Sequence, residues 1–201
     1  MTEDTLAMAD ATLAIGQEQS FAIWLGLGTL CRGAGLAMAG RHLEGAELIR
    51  LGLGGSEATG AGLSATHCLC RLADALLAVG QLEEAEQAIG TGLTIAEASG
   101  ERFAEAELHR LRGEIALARH AAESEAMACL QQAIAVSERQ GARSWELKAR
   151  TSLCRVLSRQ GRRDEAREAL SGIVAWFTEG LGTRDLVEAR RSSRASAELR
   201  G

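Results

Sequence analysis

Glycine recurs in this chain at a fixed interval, and the interval constrains the fold more than any other feature. Gly40, Gly80 and Gly161 each precede a polar turn, followed in two cases by an acid-alanine pattern, Gly80-Gln-Leu-Glu-Glu-Ala85 and Gly161-Arg-Arg-Asp-Glu-Ala166. Ala121-Ala-Glu-Ser-Glu-Ala126 keeps the spacing, and Gly40-Arg-His-Leu-Glu-Gly45 is a degenerate first copy, so the copies start about 40 residues apart. A second series, Gly60, Gly100, Gly141 and Gly180, falls midway. Self-similarity at such a period marks arrays built from one repeated supersecondary unit. Glycine closes a helix in the left-handed conformation without steric cost, and in 201 residues without proline it carries the stops alone.

Between the stops the residues favour helix. Ala 37 and Leu 28 stand against Val 5 and Ile 8, and tyrosine is absent, so the β-branched and aromatic residues that fill sheets are scarce. Apolar residues recur at three and four, as in Leu69, Leu72, Ala73 and Leu76 and then Leu82, Ala85, Ile89, Leu93 and Ala96, which is the stripe of an amphipathic helix. Acids cluster in the first turn of each second helix, where they complement the helix dipole: Glu83 and Glu84, Glu123 and Glu125, Asp164 and Glu165. The pattern predicts ten helices near 3–19, 21–39, 42–54, 61–79, 82–98, 101–119, 122–140, 142–160, 162–178 and 184–197. The expected fold is all-α, a right-handed α-solenoid of antiparallel pairs in one domain over 1–201. Its units are a half repeat 1–20, repeats 21–60, 61–100, 101–141 and 142–182, and a terminal helix 183–201. The helix over 3–19, with Leu6, Leu13 and Ile15, is expected to leave an apolar face open for a homodimer.

In register, the small positions of each pair are Ala73 and Ala85, Gly113 and Ala126, and Cys154 and Ala166. This spacing resembles tetratricopeptide-like repeats in a long form. A closer resemblance lies in Glu101-Arg-Phe-Ala-Glu-Ala-Glu-Leu-His-Arg-Leu-Arg-Gly-Glu114, Gln140-Gly-Ala-Arg-Ser-Trp-Glu-Leu147, Gln160-Gly-Arg-Arg-Asp-Glu-Ala166 and Trp176-Phe-Thr-Glu-Gly180. These stretches are similar to the carboxy-terminal arm of bacterial ATPase-linked adenylate/guanylate cyclases and of LuxR/MalT-type regulators. The resemblance implies a sensor or protein-interaction arm with no cyclase or ATPase activity of its own, since no Gly-Lys-Ser/Thr phosphate loop is present. Arg190-Arg-Ser-Ser-Arg194 departs from the leucine-rich closing helix of that pattern.

Charge and cysteine usage narrow the partners. Residues 1–100 hold 4 arginines and 12 acids, residues 101–201 hold 18 Arg plus Lys and 15 acids, so the first half is acidic and the second basic. The basic half is too mixed in sign for a nucleic-acid surface. Five scattered cysteines and an acidic start point to a reduced, cytoplasmic setting. The apolar stretch from Phe21 to Gly40 carries Arg32 at its centre and reads as a buried helix, not a membrane span.

No catalytic constellation assembles from the sequence, and neither a metal nor a cofactor is expected. His67-Cys-Leu-Cys70 reads as ordinary packing, Glu105 and His109 as a surface pair, and the runs Gly26-Leu-Gly28, Gly33-Ala-Gly35 and Gly52-Leu-Gly-Gly55 as close helix contacts. Phe21, Trp24, Phe103, Trp145, Trp176 and Phe177 are expected at structural seams. The register points the first helix of each pair inward, with an apolar start at Leu27 and Leu30, then His67, Cys70 and Asp74, then Glu107, Arg110 and Glu114, then Lys148, Thr151, Arg155 and Arg159. On that groove Arg110, Lys148, Arg155 and Arg159 are expected to hold an acidic peptide, carboxylate or phosphate. The expected function is a non-catalytic binding scaffold or sensor; the alternative is a truncated arm of a multidomain cyclase or ATPase regulator.

Overall fold

The computed structural model describes residues 2–58 and 64–198, and among these it is all-helical, with no strand. The ten helices are α1 Thr2–Glu18, α2 Ala22–Met38, α3 His42–Ala58, α4 Ala65–Ala78, α5 Leu82–Ser99, α6 Glu105–Ala118, α7 Glu123–Gln140, α8 Arg143–Arg159, α9 Arg163–Trp176 and α10 Arg184–Glu198. Each lies where the periodicity predicts one. Gly60, expected to end a helix, lies outside the described residues.

The turns explain the glycine interval. Gly40, Gly80, Gly100, Gly141, Gly161 and Gly180 all take positive φ, from 64° to 86°. After α4 the Gly80 amide donates to the Leu77 carbonyl at 3.1 Å and the Gln81 amide to the Leu76 carbonyl at 3.0 Å. Those two bonds satisfy carbonyls that the helix end leaves open, and Gly40, Gly141 and Gly161 repeat them. Two stops were invisible as glycines. Ser20 and His120 adopt φ of 55° in the same bonded turn, with Phe21 and Ala121 amides closing on Gly16 and Ala116. The series therefore runs at twenty-residue steps through residues that lack glycine's freedom.

Consecutive helices joined by turns this short and in contact run antiparallel. The chain forms two compact units, Met1–Ala104 with α1 to α5 and Glu105–Gly201 with α6 to α10. Within the first unit each helix packs on the next in sequence, and α2 also touches α4. Within the second the same holds, with α6 on α8 and α8 on α10. First helices thus lie beside first helices, the arrangement a stacked array of pairs requires. The predicted small positions are buried: Ala73, Ala85, Ala126, Cys154 and Ala166 are 0% exposed, and a Cβ on Gly113 would lie 3.2 Å from the Ala126 carbonyl oxygen. Leu130, Leu147, Val156, Leu170 and Ile173 fill the second unit's core, which Leu186 and Ala189 of α10 complete. The Arg190–Arg194 departure therefore does not prevent a closing helix.

In the first unit the equivalent pair contact is Gly33 against Gly45. A Cβ on Gly45 would sit 2.7 Å from the Gly33 carbonyl oxygen, and one on Gly33 2.8 Å from the Gly45 carbonyl oxygen. Gly28 and Gly35 face Leu13 and Leu6 of α1 at similar range. The α2 glycines are close-packing sites, as expected. They also show where Leu6 and Leu13 go: both sit in the α1–α2 seam, while Met8 and Ile15 stay exposed. Gly52 explains why α3 runs on past 54. A side chain there would meet Leu30 at 2.6 Å, so packing on α2 outweighs the weak helix propensity of Gly52, Gly54 and Gly55.

Candidate functional site

The densest polar cluster lies in the second unit, on the neighbouring faces of α6, α8 and α10. Helical spacing puts Glu107, Arg110 and Glu114 on one face of α6, and Lys148, Ser152 and Arg155 on the facing side of α8. Arg110 donates twice to Glu107, from Nε at 2.8 Å and Nη2 at 3.0 Å, and from Nη1 to Glu114 at 3.3 Å. Lys148 also pairs with Glu107. Ser152 and Arg155 both donate to Glu114, and Arg155 Nη1 reaches Glu188 of α10 at 3.2 Å. The result is a relay of alternating charge across three helices.

Burial divides the relay into an inner and an outer part. The side chains of Glu107 and Arg110 are 4% and 9% exposed, those of Arg155 and Glu188 46% and 43%. An ion buried this deeply costs several kcal/mol unless its geometry is good. Burial pushes the Glu107 carboxyl up, but Arg110 and Lys148 outweigh it and hold it below the ordinary carboxylate range. Glu107 is therefore ionised at neutral pH, and the inner pair is structural.

The sequence-predicted residues are placed as follows. Arg110, Lys148 and Arg155 come together, already paired with Glu107, Glu114 and Glu188. Thr151 is buried beside them, its hydroxyl donating to the Leu147 carbonyl at 2.7 Å. Arg159 is exposed one turn beyond Arg155. A small hollow of about 50 Å³ opens between Arg110, Lys148, Thr151, Ser152, Arg155, Asp185 and Glu188. Ser152, Asp185 and Glu188 escaped the sequence analysis. The i+4 step from Lys148 to Ser152 was readable, whereas the approach of α10 was not. Glu146 was missed likewise: it is buried between Arg143 and Arg150, both on its own helix at the right spacing.

The first unit holds the remaining predicted residues. His67 is half-buried and stacks on Phe103 at 6.0 Å, Cys70 is buried with its thiol 3.7 Å from the Ala104 carbonyl, and Asp74 is exposed. Leu27 is exposed as expected, but Leu30 is buried because it faces Gly52 of α3. Cys68 is pushed up to about 11, by burial first and then by Cys31 and Glu101, so its thiol is a poor nucleophile. Among the described residues no group of three or more His, Cys, Asp or Glu side chains is placed to hold a metal. No helix among them is long and apolar enough to cross a membrane.

Several aromatic side chains stand away from the seams expected of them. Phe21, Trp24, Phe103 and Trp176 remain about half exposed. Lys148 lies 5.1 Å from the Trp145 ring, and Arg143 5.7 Å from Trp176, which meets Phe177 edge-on at 5.0 Å. Trp176 and Phe177 border a larger hollow of about 430 Å³ with Ser144, Leu147, Thr183 and Leu186. His109, expected in a surface pair with Glu105, is half-buried. Burial lowers its pKa, Glu105 opposes the shift, and Arg112 and Arg139 add to it.

Neither a family model nor a curated protein matches the chain.

Proposed function

We propose that this chain is a non-catalytic binding module of the tetratricopeptide-like kind, taking an acidic protein or peptide segment on the α6–α8–α10 face of its second unit. The observation that carries the proposal is the placement of Arg155. Glu114 and Ser152 aim its guanidinium from below, while its outer partner Glu188 is nearly half exposed. An ion pair so exposed contributes about 0–1 kcal/mol, so a carboxylate from a partner replaces Glu188 at little cost. Lys148, held over Trp145, and Arg159, one turn further along α8, extend the cationic line. The inner Glu107–Arg110 pair fixes the helices that carry these groups and takes no part in binding.

Anisotropy of a labelled glutamate-rich peptide tests this directly. Arg155→Glu with Arg159→Glu abolishes its binding while helicity by circular dichroism is unchanged, and wild-type affinity falls with salt as charge pairing requires. Binding that survives the double charge reversal defeats the proposal.

A second function, as the signal-receiving arm of a larger ATPase or cyclase regulator, draws support from the sequence resemblance and from Met8 and Ile15, which α1 presents at 69% and 57% exposure. An ATPase or cyclase segment in frame upstream of the chain decides it, and an upstream stop codon excludes it.

A further inference from the structure

Helices α9 and α10 are joined over residues 177–183, whereas the earlier connections of the second unit run over 119–122, 141–142 and 160–162. Beside this longer connection lies the hollow of about 430 Å³, enclosed by the start of α8, the end of α9 and the start of α10. Leu147 and Leu186, each 2% exposed, form its apolar floor. Its wall is aromatic: Trp176 remains 57% exposed, and Phe177 meets that ring edge-on at 5.0 Å. Among the described residues, the only charged side chains that border the hollow are Glu179 and Asp185, both exposed. No ion pair or hydrogen bond among the described residues engages either carboxylate.

We propose that this hollow binds a small organic cation, a quaternary ammonium or a substituted amine, with its charge against Trp176 and its carbon substituents on Leu147 and Leu186. The volume suits a small molecule, since pockets that take one run from about 300 to 1,000 Å³. The sign of the charge follows from the border. An anion entering the hollow meets Glu179 and Asp185, and the amide end of α10, which would otherwise attract it, already has Asp185 in its first turn. A neutral apolar ligand leaves both carboxylates without a counter-charge. A cation instead gains from the carboxylates and from the negative face of the indole, the aromatic ring that attracts cations best. The Trp176 ring already does so with Arg143, 5.7 Å from its centroid. Arg143 is held by Glu146 and does not border the hollow, so it leaves the exposed part of the ring to a ligand. Lys148 is likewise engaged, by Glu107. Cations as weakly hydrated as a quaternary ammonium lose least on entering, and methylated nitrogen packs on an aromatic wall. The site is separate from the acidic-peptide face. Asp185 stands between the two hollows, but Glu179, Trp176 and Phe177 border the larger one alone.

Titration of the full chain with choline at constant ionic strength tests the proposal, followed by the Trp176 indole N–H resonance, which is assigned by its loss in Trp176→Phe. The resonance shifts saturably with choline. Dimethylbutanol, in which carbon replaces the ammonium nitrogen, has the same shape without the charge, and it binds at least about tenfold more weakly. Because the alcohol is the more hydrophobic of the two, a merely apolar hollow prefers it. Calorimetric titration extends the test to variants. Trp176→Leu, at an exposed position, abolishes choline binding with helicity unchanged. Glu179→Gln, in the connection and outside every helix, weakens it several-fold while the glutamate-rich peptide binds as to the wild type, so the two sites stand or fall separately. A shift that stays linear in choline across the millimolar range overturns the proposal. So does dimethylbutanol binding as tightly as choline, or choline binding indifferent to both Trp176→Leu and Glu179→Gln.

Discussion

Gly45→Ala is expected to destabilise the first unit, although alanine is the better helix former by about 1 kcal/mol in a helix interior. The added Cβ would lie 2.7 Å from the Gly33 carbonyl oxygen, 2.8 Å from the Ala37 nitrogen and 2.9 Å from the Ala37 Cβ. Two of these three are backbone atoms, which no rotamer change relieves. Ordinary contact begins at 3.4 Å, so α2 and α3 must separate by about 0.7 Å along that line, dragging Ile49 and Leu30 from their packing. Overpacking of this kind costs about 1–3 kcal/mol and the propensity gain of about 1 kcal/mol offsets part of it, leaving a net loss of up to about 2 kcal/mol. For a chain of this size that is a fall of up to about 8 °C in melting temperature. Gly90→Ala and Gly172→Ala are the controls. Both sites lie inside helices, and a Cβ on either meets nothing within 4 Å, so each substitution is expected to stabilise by about 0.5–1 kcal/mol. Urea unfolding followed by circular dichroism, with Trp24 fluorescence read in a background carrying Trp145→Phe and Trp176→Phe so that it reports the first unit alone, separates the cases. A Gly45→Ala protein as stable as Gly90→Ala would refute the reasoning, because the close approach of α2 and α3 would then carry no energetic weight.

Two further outcomes follow from the turn geometry and the buried charge. His120→Gly relieves a left-handed residue at φ 55° and is expected to raise stability by about 0.5–1 kcal/mol, read as a higher urea midpoint; no gain would mean that the turn is unstrained. Glu107→Gln keeps the volume but strands Arg110 and Lys148 beside a neutral amide, with an expected loss of about 3 kcal/mol in chemical denaturation. Because the folded Glu107 carboxyl titrates below its ordinary value of 4.5, its contribution is complete above that pH and fades as pH falls through the lower folded value. The wild type therefore loses stability more steeply in acid than Glu107→Gln does, and parallel acid profiles would exclude Glu107 as the source.

Much of the fold was legible along the chain because helix periodicity and helix stops are local properties. Leu82, Ala85 and Ile89 announce one face of one helix, and Gly80 announces the end of the preceding helix, each through interactions spanning four or five residues. The buried small positions were legible for the same reason, since Ala73 and Ala85 recur as Cys154 and Ala166. Ser20 and His120 were not, because their left-handed turns are imposed by the packed helices on either side, with no glycine to signal them. The candidate site divides along the same line. Glu107, Arg110 and Glu114 share a helix, and their mutual reach follows from spacing alone. That Lys148 and Ser152 meet them from α8, and that Arg155 finds Glu188 on α10, depends on the lateral offset between neighbouring helices. That offset also turned expected ligand-binding cations into partners of internal carboxylates. Burial is likewise a property of the packed pair: Leu30 and Leu27 look alike in the chain, yet Gly52 draws one into the core and leaves the other in water. A periodic pattern fixes which residues share a face, whereas the distance of closest approach, set by glycines facing each other across two helices, decides which of those faces are covered.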